Sequence, residues 1–221
     1  MKKLLTLSAI LAATLLSAQI DFSSTRYGIT AGPNYSRVQN AHNPSGPRYA
    51  FYAGVLALIP VDDNNQFYIQ PEVLYVAAGE SGKDKYYKDK PSKGYDAMYI
   101  CNYISVPINF KGYFSEAESE FFAFGGPRFD FLIAQNVKNA VNPDYEKDTY
   151  GKAGSFNFNL GVGLGYSYKR QLELSVKYDI GLSNAYPDLK NSPIDIANGL
   201  AGGSKKKSQQ ILSVGLSYIF Q

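Results

Sequence analysis

The residue best suited to nucleophilic chemistry is His42, the only histidine of the chain, with Ser45 three positions further on. A histidine, a serine and a carboxylate can together activate a hydroxyl for attack on an ester or amide. No further motif accompanies this pair, and the surrounding residues predict a polar loop. We therefore interpret His42 as an ordinary solvated loop residue, assign no catalytic residue and expect no enzymatic activity.

Metal and redox chemistry have equally little support in the sequence. The chain has one cysteine, Cys101, so an internal disulfide is excluded. One histidine, one cysteine and scattered carboxylates lack the spacing of a metal site. We expect no metal and no cofactor, and we interpret Cys101 as a small residue that faces lipid or a packed interior.

The glycines Gly161, Gly163 and Gly165 form a GxGxG pattern, which in some folds binds a nucleotide phosphate. Such a site needs a helix directly after the glycines, whereas here apolar residues alternate with them up to Tyr168. The pattern is therefore typical of a β-strand whose small residues all point to one crowded side.

The start of the chain predicts a secretory signal peptide. Lys2 and Lys3 precede an apolar run over 4–16, and Ser17-Ala18 precedes Gln19. About 13 apolar residues are too few to span a bilayer as a helix. We expect residues 1–18 to be removed and residues 19–221 to form a single exported domain. Loss of Lys2 and Lys3 lowers the formal charge of +3 by two, and this near-neutral balance argues against nucleic-acid binding.

The exported part shows period-2 alternation of apolar and small or polar residues, which predicts β-strands. The pattern is clearest over 155–168 and in the closing stretch, where Leu212, Val214 and Leu216 alternate with Ser213 and Gly215. Eight such segments are present, over 26–36, 48–59, 67–77, 98–114, 121–133, 155–168, 172–182 and 211–221. The segment over 48–59 is apolar on both faces, so its register stays open.

The connections between these segments alternate between long and short. The long ones are polar or charged loops over 38–47, 78–97, 134–154 and 183–210. An up-and-down order places all long loops at one end of a barrel and all short turns at the other, as in outer-membrane barrels. We predict an all-β fold, an eight-stranded antiparallel up-and-down transmembrane β-barrel.

Alternation alone does not say which face points outward, but two features favour lipid outside. Several segments reach the length of about 9–11 residues that crosses the hydrocarbon layer. The polar face is rich in Gly, Ser and Asn and carries charges of both signs, which suits a narrow interior. Those charges are Glu72, Lys111, Arg128, Asp130, Glu173, Lys177 and Asp179.

Aromatic residues near the segment ends predict two interfacial girdles. On the short-turn side they are Phe67, Tyr113, Phe114, Phe121, Tyr166, Tyr168, Tyr218 and Phe220, and on the long-loop side Tyr35, Tyr75, Tyr99 and Tyr186. Lysines collect in two long loops, between 83 and 93 and at Lys205, Lys206 and Lys207. They suit either a plain solvated loop or contact with lipopolysaccharide phosphates.

Several segments resemble the PorT-like outer membrane β-barrel family, the small "porin family" barrels of Bacteroidetes. The similarity is carried by GITAGPNYS at 28–36, FYIQPEVLY at 67–75, YISVPINFKGYF at 103–114 and FFAFGGPRFDFLI at 121–133. Gln70-Pro71-Glu72 and Val106-Pro107 are the most specific motifs. The resemblance implies an integral protein of the cell outer membrane and leaves its molecular activity open.

We expect a structural, interaction or narrow-pore role, because eight strands leave no wide lumen. The resemblance implies one alternative, an accessory component of a Bacteroidetes protein secretion system. Another is a lipid-modifying outer-membrane enzyme, which would have to use His42. The expected partners are outer-membrane lipid, including lipopolysaccharide, and secretion-system proteins in the first alternative. We expect a monomer.

Overall fold

The computed structural model describes residues 22–42, 45–83, 86, 96–139, 151–189 and 205–220. The expected signal peptide over 1–18 and most of the lysines between 83 and 93 lie outside this part of the chain. A short 3-10 turn, Phe22–Ser24, leads into the first strand. No helix among the described residues is long and apolar enough to cross a membrane.

Eight strands form one closed barrel in which each strand pairs antiparallel with the next and β1 pairs with β8. They are β1 (Arg26–Gln39), β2 (Gly46–Pro60), β3 (Phe67–Lys83), β4 (Asp96–Tyr113), β5 (Glu120–Lys138), β6 (Phe156–Tyr168), β7 (Leu172–Gly181) and β8 (Ser208–Ile219). The predicted fold class, strand number and up-and-down order are confirmed.

β3 and β5 extend furthest beyond the segments that the sequence predicted. β3 runs to Lys83, and β5 runs to Lys138, into stretches interpreted above as loops. Alternation marks only the part of a strand whose outer face meets lipid, since beyond the bilayer neither face has to be apolar. The backbone ladder continues regardless, with pairs such as Glu80 with Tyr99. Strands of 17, 18 and 19 residues therefore extend beyond the hydrocarbon layer.

The apolar side chains face outward and the charged ones face inward, as predicted. Leu164 is 61% exposed and Val162 60%, whereas Asp130 is 1% and Lys111 1% exposed. The open register of β2 is also settled: Phe51 and Val55 point outward, and Leu56 and Leu58 are buried inside.

Side chains fill the interior in layers. Near the long loops lies an upper apolar layer, made of Val38, Leu74, Val76, Cys101, Tyr103 and Ile211 together with Ala153, Ala185, Tyr186 and Leu189. Near the short turns lies a lower aromatic layer of Leu56, Leu58, Tyr68, Tyr113, Phe122 and Ile219. Charged and amide side chains occupy the space between the two layers.

The predicted girdles are correct for most of their members and wrong for three. Phe114, Tyr166 and others are exposed on the outer wall, but Tyr113, Tyr99 and Tyr186 are buried. Tyr113 and Tyr99 are buried residues of β4, and Tyr186 reaches into the upper layer from the β7–β8 connection. Large aromatic side chains are needed inside the barrel as well, where they fill the lumen at its ends.

The glycines of β6 have the packing role that the sequence indicated. A Cβ atom on Gly163 would lie 2.5 Å from Phe124 Cζ, and one on Gly165 would lie 2.3 Å from Phe122 Cζ. Each would also approach a backbone oxygen of β7 at 2.7 Å. Only glycine leaves room for the two inward phenylalanine rings that cross the lumen here.

Candidate functional site: the barrel interior

The centre of the lumen holds a network around Arg128 of β5. Arg128 Nε donates to Asp130 Oδ1 at 2.8 Å, and Nη1 donates to Asp179 Oδ2 at 2.9 Å. Asn159 Nδ2 donates to Asp130 Oδ2 at 2.9 Å, and the Ser105 hydroxyl donates to the same carboxylate. The period of two along β5 places Arg128 and Asp130 on one face, and barrel closure brings Asp179 to them.

A second ion pair lies below this network. Lys111 Nζ of β4 donates to Glu173 Oε2 of β7 at 2.5 Å, and Tyr113 Oη donates to Glu173 Oε1 at 2.6 Å. Lys111 Nζ also lies 4.1 Å from the centre of the Phe122 ring, a cation–π contact. The pair links strands on opposite sides of the barrel and therefore bridges the lumen.

The carboxylate of Glu72 accepts hydrogen bonds from two side-chain amides. Gln70 Nε2 and Asn109 Nδ2 both donate to Glu72 Oε1 at 2.7 Å. The Gln-Pro-Glu motif places Gln70 and Glu72 on the same inward face of β3, with Pro71 on the outer face. The most specific motif of the sequence thus contributes to the polar interior.

A cavity of about 40 Å³ remains between these groups. Three buried atoms of residues that line it have no hydrogen-bond partner: Gln70 Oε1, Arg128 Nη2 and Asp179 Oδ1. A water needs about 10–15 Å³ of such space and two to four polar partners, so the cavity suits two or three ordered waters. It is far too small for an organic solute.

Arg170 closes the end of the barrel with the short turns. Lys169 and Arg170 are the two central residues of the turn over 168–171, with φ of 52° and 54°, and Gln171 N donates to Tyr168 O at 3.1 Å. Such a turn usually contains Asn or Gly, because its positive φ angles strain other residues. Here the Arg170 side chain offsets that strain, because it reaches the neighbouring turns.

The contacts of Arg170 span the whole opening. Nη1 donates to Asn65 O at 2.6 Å, Nη2 donates to Ser115 O at 3.1 Å, and the guanidinium pairs with Glu120. The guanidinium carbon lies 4.0 Å from the Tyr113 ring centre. One side chain therefore joins all three short turns over the lower aromatic layer.

His42 has a different environment from the one predicted. Its side chain is 3% exposed, its ring stacks on Tyr99 with centroids 3.7 Å apart, and its Nδ1 pairs with Glu80. The expectation of a solvated histidine is wrong, because the extension of β3 brings Glu80 under the β1–β2 connection.

The hydroxyl of Ser45 also binds Glu80, through Oε2, and accepts from Arg37 Nε at 3.1 Å. The carboxylate thus takes both His42 and Ser45 as donors. In a serine hydrolase the histidine would instead stand between the serine and the acid. The described contacts of His42, Ser45 and Glu80 hold the β1–β2 connection against the long-loop end of the barrel.

Cys101 lies inside the barrel, where its Sγ is 3.5 Å from Tyr186 Oη. Tyr186 belongs to the connection beyond β7 and is buried in the upper apolar layer. Burial raises the pKa of Tyr186 well above its ordinary value, and the nearby Cys101 and Glu80 act in the same direction. Its phenol stays neutral and serves as an uncharged cover over the lumen.

The three consecutive lysines at 205–207 do not share one environment. Lys205 and Lys206 are exposed, but Lys207 is fully buried, and its backbone N donates to Asn184 Oδ1 at 3.2 Å. Lys207 therefore lies outside any surface patch, in contrast to the solvated loop predicted for all three.

Among the described residues no three His, Cys, Asp or Glu side chains are arranged to hold a metal ion. Sequence reasoning found the charged members of the central network but missed Glu80, Arg170 and Tyr186 as closing residues. The two adjacent cations at 169 and 170 in a minimal turn are the one sequence signal that could have indicated Arg170.

A family model described as "Outer membrane protein beta-barrel domain" matches residues 17–186. No curated protein matches the chain.

Three small barrels are among the solved structures that are similar to this chain. Ail, the attachment invasion locus protein of Yersinia pestis, is 10% identical over 88% of this chain and 98% of its own, with a TM-score of 0.42.

Neisserial surface protein A (NspA) is 15% identical over 88% of this chain and 97% of its own, with a TM-score of 0.44. The outer membrane protein OprG from Pseudomonas aeruginosa is 10% identical over 89% and 96%, with a TM-score of 0.45. These values are too low to transfer an activity or a ligand, so the family assignment comes from the family model alone.

Proposed function

Because this chain belongs to the outer membrane protein β-barrel domain family, we propose that it is a closed, non-conducting barrel of the outer membrane that carries its long loops at the cell surface. The single observation that supports this proposal is the filled lumen. The upper apolar layer, the ion pairs and the lower aromatic layer follow one another along the axis. A cavity of only about 40 Å³ lies between them.

Energetics favour a closed lumen as well. Opening a path through the centre would break the charged hydrogen bonds that Arg128 makes to Asp130 and Asp179.

The test is conductance in a planar bilayer. We expect the refolded protein to give no current steps above the baseline, while a general porin added to the same bilayer conducts. Heat-modifiable migration on a gel shows beforehand that the barrel is folded. A steady open current from the folded protein would contradict the proposal and favour the narrow pore.

We also propose that this barrel belongs to the PorT-like family, which the motifs Gln70-Pro71-Glu72 and Val106-Pro107 support. In this version the surface loops serve a protein secretion system, and a deletion strain would retain exported cargo in its periplasm. We further propose that residues 1–18 are a signal peptide that is removed on export. The exposed Lys205 and Lys206 support contact with lipopolysaccharide phosphates.

A further inference from the structure

The outer wall of the barrel carries a groove of about 490 Å³ toward the short-turn end of β3 to β6. Its volume falls within the range of about 300–1,000 Å³ that is typical of ligand sites. Among the residues that line it are Phe67, Phe110, Gly112, Ala123, Gly125 and Leu164. The groove therefore lies in the apolar wall that meets the membrane.

Small outward residues form the floor of the groove. Gly112 is paired with Ala123 across β4 and β5, and Phe110 is paired with Gly125. Phe67 and Phe110 stack with centroids 5.7 Å apart and form one side. Leu164, 61% exposed, forms part of the other. Large side chains thus flank a strip of β4 and β5 whose own outward residues, Gly112, Ala123 and Gly125, are small.

The rim next to the groove carries both signs of charge. Glu116 and Glu118 are exposed on the turn that follows Phe114, which itself lines the groove. Lys169 lies beside that turn, because its backbone N donates to Ser119 Oγ at 3.0 Å. Its Nζ lies 5.5 Å from the ring centre of Tyr168, an outward-facing residue, so the ammonium is on the lipid side of the rim.

We propose that the groove binds one acyl chain of a zwitterionic phospholipid with an ethanolamine headgroup, from the periplasmic leaflet. Short turns mark the periplasmic end of an outer-membrane barrel, so the groove opens to that leaflet. The ammonium of the headgroup faces Glu116 and Glu118, and the phosphate faces Lys169. An anionic glycerol headgroup offers no cation to the two carboxylates and is repelled by them.

The site is tested by native mass spectrometry of the detergent-solubilised barrel with equimolar phosphatidylethanolamine and phosphatidylglycerol. Ala123→Phe fills the floor of the groove, and Ala31→Phe adds the same ring to the outer face of β1 as a matched control. We expect the wild type and Ala31→Phe to retain one phosphatidylethanolamine. In Ala123→Phe the retained fraction should fall roughly tenfold, equivalent to about 1.4 kcal/mol.

The headgroup contact is tested with Glu116→Gln and Glu118→Gln together. We expect this variant to retain the two lipids equally, since the carboxylates that distinguish them are gone. Equal retention of both lipids by the wild type would overturn the proposal, as would retention unaffected by Ala123→Phe. A dimer that Ala123→Phe abolishes would overturn it too and assign the groove to a second copy. None of these outcomes depends on whether the barrel conducts.

Discussion

Arg128→Met is expected to lower the free energy of unfolding by about 3–5 kcal/mol, because it leaves Asp130 and Asp179 buried without their cation. Both carboxylates are almost fully buried, at 1% and 2% exposure. The remaining described partners are one cation, Lys177 at 3.5 Å from Asp179, and the neutral donors of Asp130, which are Asn159 at 2.9 Å and the Ser105 hydroxyl. None of them replaces the two charged hydrogen bonds that the guanidinium makes.

The measurement is a urea titration in phospholipid vesicles, followed by far-UV circular dichroism and by loss of the heat-modifiable gel band. Lys138→Met removes an exposed cation from the end of the same strand and should change stability by less than about 0.5 kcal/mol. The triple variant with Asp130→Asn and Asp179→Asn should recover part of the loss, because both buried carboxylates become neutral and only the partly exposed Lys177 loses a partner. An Arg128→Met barrel that unfolds at the wild-type urea concentration would contradict this account of the interior.

Val176→Arg is expected to destabilise the barrel by about 2–4 kcal/mol, because Val176 faces lipid near the bilayer midplane. It lies in the middle of β7 and is 49% exposed on the outer wall. On a water-facing strand the same substitution would change stability by only about 0.5 kcal/mol. The sign and size of the effect therefore depend on what the outer wall contacts.

Leu172→Arg is the matched control, since Leu172 is outward, 42% exposed and at the short-turn end of the same strand. There the arginine reaches the headgroups, and the cost falls to about 0–1 kcal/mol. Both variants are compared in the same vesicles by the same urea titration. Equal effects at the two positions would mean that depth in a bilayer has no influence on the outer wall.

The course of the chain could be predicted from its sequence because one physical pattern repeats eight times. Alternation indicated the inward face of β6 from Asn157 to Ser167, and it indicated both faces of β7. The mixed signs on the polar face also pointed inward, since a lumen filled by side chains can hold charges only as pairs. Arg128 with Asp130, two positions apart on one strand, could be expected from the sequence.

The long-range partners could not be predicted, because they depend on register and closure. Lys111 and Glu173 are 62 positions apart and on strands that are not neighbours. Their contact requires the full circuit of the barrel and its side-chain layers. Sequence reasoning failed at His42 for the same reason, because its partner Glu80 lies in a strand extension that carries no alternation.

The central claim is that the apolar outer face of this closed barrel contacts lipid and that its polar face encloses the lumen. The chain has no tryptophan, so a single introduced indole reports on one position. Val214→Trp places it on the outer wall, and Tyr52→Trp places it inside, beside the central cavity. In vesicles with brominated acyl chains we expect strong quenching of the outer indole's fluorescence and little quenching of the inner one. Equal quenching in the two variants, or stronger quenching in Tyr52→Trp, would contradict the account.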